Sequence, residues 1–426
     1  MKILIVGNGA REHAIAHRIR RENPKAELVA APGNPGIGEL SVRCLLDAKL
    51  DDLATLSAMI IAQRPELVVI GPEAPLSIGL VDALREAKIP CVGPTKAAAQ
   101  LESSKSFAKS VMLAAGIPTA RSVLTRTPQE LDAALTEFAI PVVLKADGLA
   151  AGKGVVVCKT AAELAVGREF LVKEVKTSSV LIEEFMPGVE ATLMVATNGT
   201  EWLMLPTAHD YKRVGDGDSG PNTGGMGSVS PTPRLSNTQI AWCESNIVAP
   251  LLGEMRKRGA PFTGFLYVGL MIDPESGAIK VVEFNARMGD PETQSVLAML
   301  DGSFTAGLEW IARSVQGEAS AKPQWGVAAG SAVSVVAAAQ GYPGATHRKG
   351  DEIDGILLAL NLPGVAVYQA GTKLDARRLI TSGGRVLTVT ARGESIQAAR
   401  RLVYRAADVV QFTGRILRRD IGGELE

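Results

Sequence analysis

The sequence predicts a multidomain α/β protein: an N-terminal doubly wound parallel sheet, a middle module with an inserted lid, and a C-terminal α+β domain. Three observations lead there. The chain has 426 residues, enough for about three domains at roughly 150 residues each. Its first part alternates short apolar runs with helix-period stretches, and the apolar runs end at Gly or Pro turns. A glycine-rich loop near 147–154 and a long polar glycine-rich stretch from 206 to 233 interrupt the middle of the chain; loops as long as the second are usually functional or disordered. The expected divisions are 1–102, 103–324 with the lid at about 119–187, and 325–426.

In the first division Lys2–Val6, Leu28–Ala31, Leu67–Ile70 and Ile89–Val92 read as strands. They run into turns at Gly7, Gly33, Gly71-Pro72 and Gly93-Pro94, with helices expected at 11–22, 51–63 and 77–87. Ligands of such sheets sit beyond the carboxyl ends of the strands, where these turns lie. The lid reads as helix 128–138, strand Pro141–Ala146, a glycine-rich loop, strand Val155–Cys158, helix 161–173 and strand Val180–Phe185. Strands at 190–197, 202–205, 264–272 and 279–285 and helices at 236–257 and 291–315 flank the long polar stretch. A polar joint near 317–324 precedes further strands and a helix at 395–407.

Lys plus Arg is 45 and Asp plus Glu is 45, so the net charge is zero. That excludes a partner held mainly by bulk charge, such as duplex nucleic acid or an anionic membrane. The uncharged stretch Gly326–Thr346 is broken by Gly, Ser and Gln and reads as buried strand, not as a membrane span. Four cysteines lie far apart with no CxxC spacing, which fits buried thiols in a reducing cytoplasm. The opening MKILIVGNG carries no signal-peptide cleavage pattern.

Gly7-Asn8-Gly9-Ala10-Arg11-Glu12 follows a strand and opens a helix, a place where backbone N–H groups and the helix dipole can face an anion. As a dinucleotide fingerprint it fails, because Glu12 stands at the third glycine and no acid ends the second strand. Arg11 suits a phosphomonoester; a turn that only closes a strand–helix unit is the plainer alternative. Glu73 ends another strand and faces either the same crevice or solvent. His13 and His17 lie one helical turn apart, but with no third ligand evident zinc is not expected.

Lys145 ends an apolar strand, where a long cation needs a partner such as a nucleotide phosphate. The following loop, with Gly148, Gly152, Lys153 and Gly154, lets backbone N–H groups approach a phosphate chain, unless it is merely a mobile hairpin. Leu181–Met186 could offer backbone groups to an adenine edge, with Glu190 near for ribose; an exposed strand end explains it equally well. Glu283-Phe284-Asn285-Ala286-Arg287 is the most informative run. Strand alternation puts Glu283, Asn285 and Arg287 on one face. A carboxylate and an amide oxygen suit Mg²⁺ bridging phosphate oxygens, and Arg287 could neutralise charge on a transferred phosphoryl group. The segment 209–227 could order around a small polar substrate or be a disordered linker.

Together these motifs resemble the phosphoribosylamine–glycine ligase family, the glycinamide ribonucleotide synthetases of the ATP-grasp superfamily, over residues 1 to about 422. The resemblance rests on Gly7 through His13, Gly71 through Leu76, Lys145 through Val155, Gly220 through Gly227, and Glu283-Phe284-Asn285 with Arg287 and Gly289 through Glu292. It makes the middle module an ATP-grasp domain. It implies that ATP converts glycine to an acyl phosphate, and that the amine of 5-phosphoribosylamine then displaces phosphate. The products would be glycinamide ribonucleotide, ADP and phosphate, in purine biosynthesis. ATP would be the co-substrate with Mg²⁺ or Mn²⁺, and all partners small molecules, in a cytoplasmic monomer or weak homo-oligomer.

Carried over, Lys105 and Lys145 would contact the nucleotide, while Gly148, Gly152, Lys153 and Gly154 cover its phosphates. Glu183, Glu184 and Phe185 would read adenine and Glu190 the ribose. Glu283 and Asn285 would hold the metal, with Arg287 and Lys145 catalytic. Gly9 and Arg11 would meet the ribose phosphate; Glu73, Asp210, Lys212, Asn222, Gly224, Gly225, Met226, Arg287, Gly289 and Asp290 would enclose substrate. Departures from the family pattern are Ala10 for a usual glycine, Met288 for a common Phe, a short 170–180 stretch, and no acid within Gly269–Ile272. Another ATP-grasp ligase or carboxylase, a nucleotide-binding regulator without turnover and a nicotinamide oxidoreductase are the rival readings.

Overall fold

The computed structural model describes residues 1–148, 154–175, 177, 179–318 and 320–425. Its N-terminal sheet is five-stranded and parallel, in the order Arg43–Cys44, Glu27–Pro32, Lys2–Gly7, Leu67–Ile70, Cys91–Val92. Ile3, Leu4, Ile5 and Val6 are all buried because helices cover both faces, which is why the strands read as apolar runs. The edge strand Arg43–Cys44 is two residues long, too short to leave a periodic signal. The helix expected at 77–87 is two, Glu73–Ile78 and Leu80–Glu86, parted at Gly79, whose φ of +101° ends the first helix.

The middle of the chain builds two antiparallel sheets. One has the order Trp202–Met204, Val189–Thr197, Gly264–Ile272, Ile279–Asn285. The lid sheet runs Ser122–Thr125, Val180–Glu184, Val142–Ala146, Val155–Cys158 and packs on helices Pro128–Leu135 and Ala161–Glu169 through Leu131, Leu144, Cys158 and Ile182. The helix expected at 291–315 breaks at Gly302 (φ +102°) into Glu292–Met299 and Phe304–Val315. Glu22 caps the second piece, accepting from the N–H groups of Phe304 (2.9 Å) and Thr305 (2.8 Å).

The long polar stretch is neither a single loop nor a linker. His209–Asp210 and Gly227–Ser230 enter a five-stranded sheet beside Ser331–Ala338, Arg385–Gly393 and Val365–Gln369, and Arg213–Gly215 pairs with Ser219–Asn222 as a hairpin. These strands are too short and glycine-rich to show a period of two; their register comes from Ser331–Ala338, which is buried throughout. Residues from both sides of position 325 therefore form one sheet. Helix Ile396–Val409 packs on it. Among the described residues no helix is long and apolar enough to cross a membrane. Cys91, Cys158 and Cys243 are buried free thiols, whereas Cys44 is half-buried.

Candidate active site

The carboxyl ends of the central parallel strands open onto Glu12. Its carboxylate accepts the N–H of Gly9 (2.6 Å) and the Nε–H of Arg11 (2.6 Å). A Cβ on Gly71 would lie 2.0 Å from Glu12 Oε1, and one on Gly7 2.6 Å from its Cδ, so both glycines make room for this side chain. The third-glycine position of a dinucleotide turn is filled by a buried carboxylate. Arg11 is buried, donates to Met288 O (3.0 Å) and keeps Nη2 free of hydrogen bonds to the described residues.

On the lid side the side chain of Glu183 is committed to two lysines. Its side chain is not at the mouth of the cleft: it is 3% exposed and sits between Lys109 (2.9 Å) and Lys145 (2.6 Å). Strand alternation explains this, since Glu183 pairs with Val143 on the strand that carries Lys145. Lys109 was not singled out, although it lies one helical turn from Lys105 and therefore on the same face. Lys105 donates to Gly148 O (2.8 Å), and burial lowers its pKa against the pull of Glu283. Asp147, also not singled out, accepts from Ser106 N (3.2 Å) and Ser106 Oγ (2.5 Å), which moors the start of the glycine loop to the helix of Lys105. Gly154 O accepts from Ala146 N (2.7 Å); Gly152 and Lys153 lie outside the described residues. Glu184 pairs at the rim with Lys280 (3.1 Å), and Phe185 stands one residue beyond the strand.

Glu283, Asp210, Glu190 and Glu292 converge on Lys212, which ion-pairs with Glu190. Burial opposes ionisation of Glu283, yet Lys212, Lys145, Arg287 and Lys105 outweigh it and hold the carboxyl below its ordinary range. Burial pushes Asp210 up to about 8, against Lys212 and with the help of Glu292, Glu190 and Glu283. Burial also raises Glu292, whose carboxylate accepts from Tyr267. Glu190 is thus engaged with Lys212 before any ribose is present.

Strand alternation does not carry on to Arg287. The strand stops at Asn285, after a bulge opposite Gly269 and Leu270, and Arg287 lies in the turn that follows. Its Nη2 is 2.9 Å from Glu102 and its Nε 3.5 Å from Glu73. Glu102, absent from the sequence reading, also accepts the N–H of Ala286 (2.8 Å), and so grips the turn twice. Glu73 is therefore an ion-pair partner of Arg287 whose side chain stays 35% exposed. Asn285 pairs across the sheet with Tyr267, and its amide makes no hydrogen bond among the described residues. A charged carboxylate and a free amide oxygen fit Mg²⁺, which is held by one or two protein oxygens plus substrate phosphates and water.

The segment 222–227 closes the other side. Gly224 donates its N–H to Tyr342 Oη (3.0 Å) and its carbonyl accepts from Arg385 (2.7 Å); Arg385 also donates to Asp290 O (2.6 Å) and pairs with Asp290 Oδ2 (3.4 Å). Burial would raise Asp290, but Arg385 and Arg11 hold it low. Gly225, at φ +111°, would place a Cβ 2.4 Å from Pro291 Cδ, and a Cβ on Gly289 would meet Glu292 at 2.6 Å. Asn222 ends the hairpin strand opposite Arg213. Met226 does not enclose substrate with its side chain: it is fully buried, and its backbone joins Tyr211 to Val336. Nothing in the local sequence marks Arg385, which comes from a strand remote in the chain.

Residues 1–102 match the N domain of phosphoribosylglycinamide synthetase, 103–293 its ATP-grasp (A) domain and 332–424 its C domain. A phosphoribosylamine–glycine ligase from Streptomyces coelicolor is 44% identical over 427 aligned residues, covering 100% of this chain and 99% of that one. The chain belongs to the phosphoribosylamine–glycine ligase family. A crystal structure of the Thermotoga maritima phosphoribosylamine–glycine ligase superposes with a TM-score of 0.82 at 33% identity, over 99% of this chain and 100% of that one. An N5-carboxyaminoimidazole ribonucleotide synthetase in its ADP complex, at 18% identity and a TM-score of 0.66, carries the same fold. Within a phosphoribosylamine–glycine ligase the Glu12-filled turn is understandable, because no dinucleotide has to be seated there.

Proposed function

We propose that this chain is an ATP-dependent carbon–nitrogen ligase that joins glycine to 5-phosphoribosylamine through glycyl phosphate, giving glycinamide ribonucleotide, ADP and phosphate. The observation that carries the reading is the meeting of four buried or half-buried cations, Lys105, Lys145, Lys212 and Arg287, around the ionised Glu283. A carboxylate is a poor acylating agent, and phosphorylation supplies its leaving group. The site then needs positioning and charge neutralisation, not a side-chain nucleophile. Lys105 and Lys145, with the glycine loop between Gly148 and Gly154, orient the triphosphate. Glu184, Phe185 and Glu190 border the nucleoside. Glu283 and Asn285 would hold a divalent cation, Mg²⁺ or Mn²⁺, whose contribution is charge neutralisation between phosphate oxygens. Arg287, fixed by Glu102 and Glu73, faces the charge that develops on the transferred phosphoryl group. Arg11 and Gly9 receive the ribose phosphate, while Asp210, Lys212, Asn222, Gly224, Gly225, Gly289 and Asp290 line the amine and glycine side.

We propose further that the enzyme works in the cytoplasm, as a monomer or weak homo-oligomer, and that it divides at about 102 and 324; the family matches support the first boundary and leave the second within 294–331. The test is ADP release with ATP, glycine and freshly generated phosphoribosylamine, with and without Mg²⁺ or Mn²⁺. Turnover needs all three substrates and a divalent cation. ADP no higher than in controls lacking either glycine or the amine removes this reading.

A further inference from the structure

Asp210 and Lys212 sit on a two-residue strand and the turn after it, where Asp210 pairs with Ser228 and Lys212 O accepts the N–H of Thr223. The C-terminal end of the chain fixes the same segment from a second side. Arg418 is 1% exposed, although it carries a full charge. Its Nη1 donates to Asp218 Oδ1 (2.7 Å) and to Arg213 O (3.2 Å) on the hairpin. Its Nε and Nη2 donate to the two oxygens of Asp420 (2.8 and 2.6 Å), and the guanidinium lies 5.0 Å from the centre of the Tyr211 ring. The hairpin answers with two more links: Gly217 N–H donates to Asp420 (2.8 Å), and Asp216 accepts the N–H of Arg419 (2.7 Å). Tyr211, between Asp210 and Lys212, accepts the N–H of Gly422 (2.8 Å) and donates to Glu424 (2.5 Å). Glu424 also pairs with Arg234 (3.0 Å), which donates to Glu190 O (2.7 Å).

A buried guanidinium costs stability unless every donor finds a partner, and packing alone would favour an apolar side chain here. These partners all lie on the segment that bears Asp210 and Lys212 or on the tail itself, so the ion-pair set ties that segment to the tail on the side away from its strand partner. We propose that the segment Arg418–Glu424 is a positioning element of the active site, and that Arg418 is the positioning residue that sets the docking geometry for the amine substrate. It touches no reacting atom and acts through Tyr211 and the hairpin. The proposal rests on the reading that phosphoribosylamine lies beside Asp210 and Lys212.

The experiment measures ADP release by the full chain and by Arg418→Met, Arg418→Lys and Asp218→Asn, with KM determined separately for ATP, glycine and phosphoribosylamine. Loss of two or three charge-assisted hydrogen bonds is expected to raise the KM for phosphoribosylamine about tenfold in Arg418→Met. Arg418→Lys restores part of it, and the KM for ATP stays within about twofold, the range of a site left in place. Asp218 is largely exposed, so Asp218→Asn keeps the fold and decides the matter if Arg418→Met does not fold; its KM for the amine should rise about threefold. Any result in which the KM for phosphoribosylamine does not rise selectively overturns the proposal. A wild-type chain that releases no ADP with this amine removes the functional reading instead.

Discussion

Replacing Glu183 by Gln separates a residue that reads adenine from a buried counter-ion. The carboxylate is 3% exposed and lies 2.9 Å from Lys109 and 2.6 Å from Lys145. At an effective dielectric of about 20, each contact represents about 6 kcal/mol of gross attraction, most of it offset by desolvation. Removing one partner of a buried pair leaves a net loss of about 3–5 kcal/mol. Lys109 keeps Thr119 Oγ1 (2.7 Å) and Ala120 O (3.0 Å), Lys145 keeps Val282 O (3.3 Å), and the new amide retains an acceptor oxygen. The expected cost is therefore at the low end, about 3 kcal/mol. Urea unfolding followed by circular dichroism reads it, and the KM for ATP should rise with it because Lys145 loses its orienting partner. A loss below about 1 kcal/mol, the range of a surface ion pair, would refute the counter-ion role.

Three further outcomes follow from the same geometry. Glu283→Ala should lower ADP release by at least about 100-fold with an unchanged far-ultraviolet spectrum if, as proposed, the residue holds the divalent cation at the phosphates; near-normal activity would remove its metal assignment. Gly225→Ala puts a methyl 2.4 Å from Pro291 Cδ at a φ of +111°, which should cost about 1–3 kcal/mol and raise the KM for substrate; calorimetry and steady-state kinetics check both. His13 accepts the N–H of Gln369 (2.9 Å) and stays neutral, because burial, helped by His17, lowers its pKa to about 3. Below pH 6.5 the unfolded chain binds this proton and the folded chain does not, so stability falls on acidification between pH 6.5 and 3, by about 2–3 kcal/mol at pH 4.5. His13→Gln should flatten that part of the stability–pH profile, and an unchanged slope would count against it.

Hydrophobic runs and turn residues determined much of the architecture without tertiary help. Lys2–Val6 and Leu67–Ile70 are strands wherever they are placed, because only a covered sheet can bury such runs, and the glycines after them mark where a ligand crevice opens. Short range also sufficed to mark Lys145, Glu283 and Asn285 as candidates, because each stands at the end of an apolar strand, whereas Lys105 entered only through the family resemblance. Other parts had no local trace. The strands within 206–233 exist because Ser331–Ala338 offers them an edge, and Glu183 turned inward because Lys109 and Lys145 meet it from two elements. Glu102, Arg385 and Arg418 act on Arg287, Asp290 and Tyr211 across 185, 95 and 207 positions of chain. Amino-acid order thus determined which groups are candidates for phosphate and where most of the strands end. Only the folded chain decided which carboxylates stay free for chemistry and which are spent on holding a cation, because that choice depends on distances between segments and not on their composition.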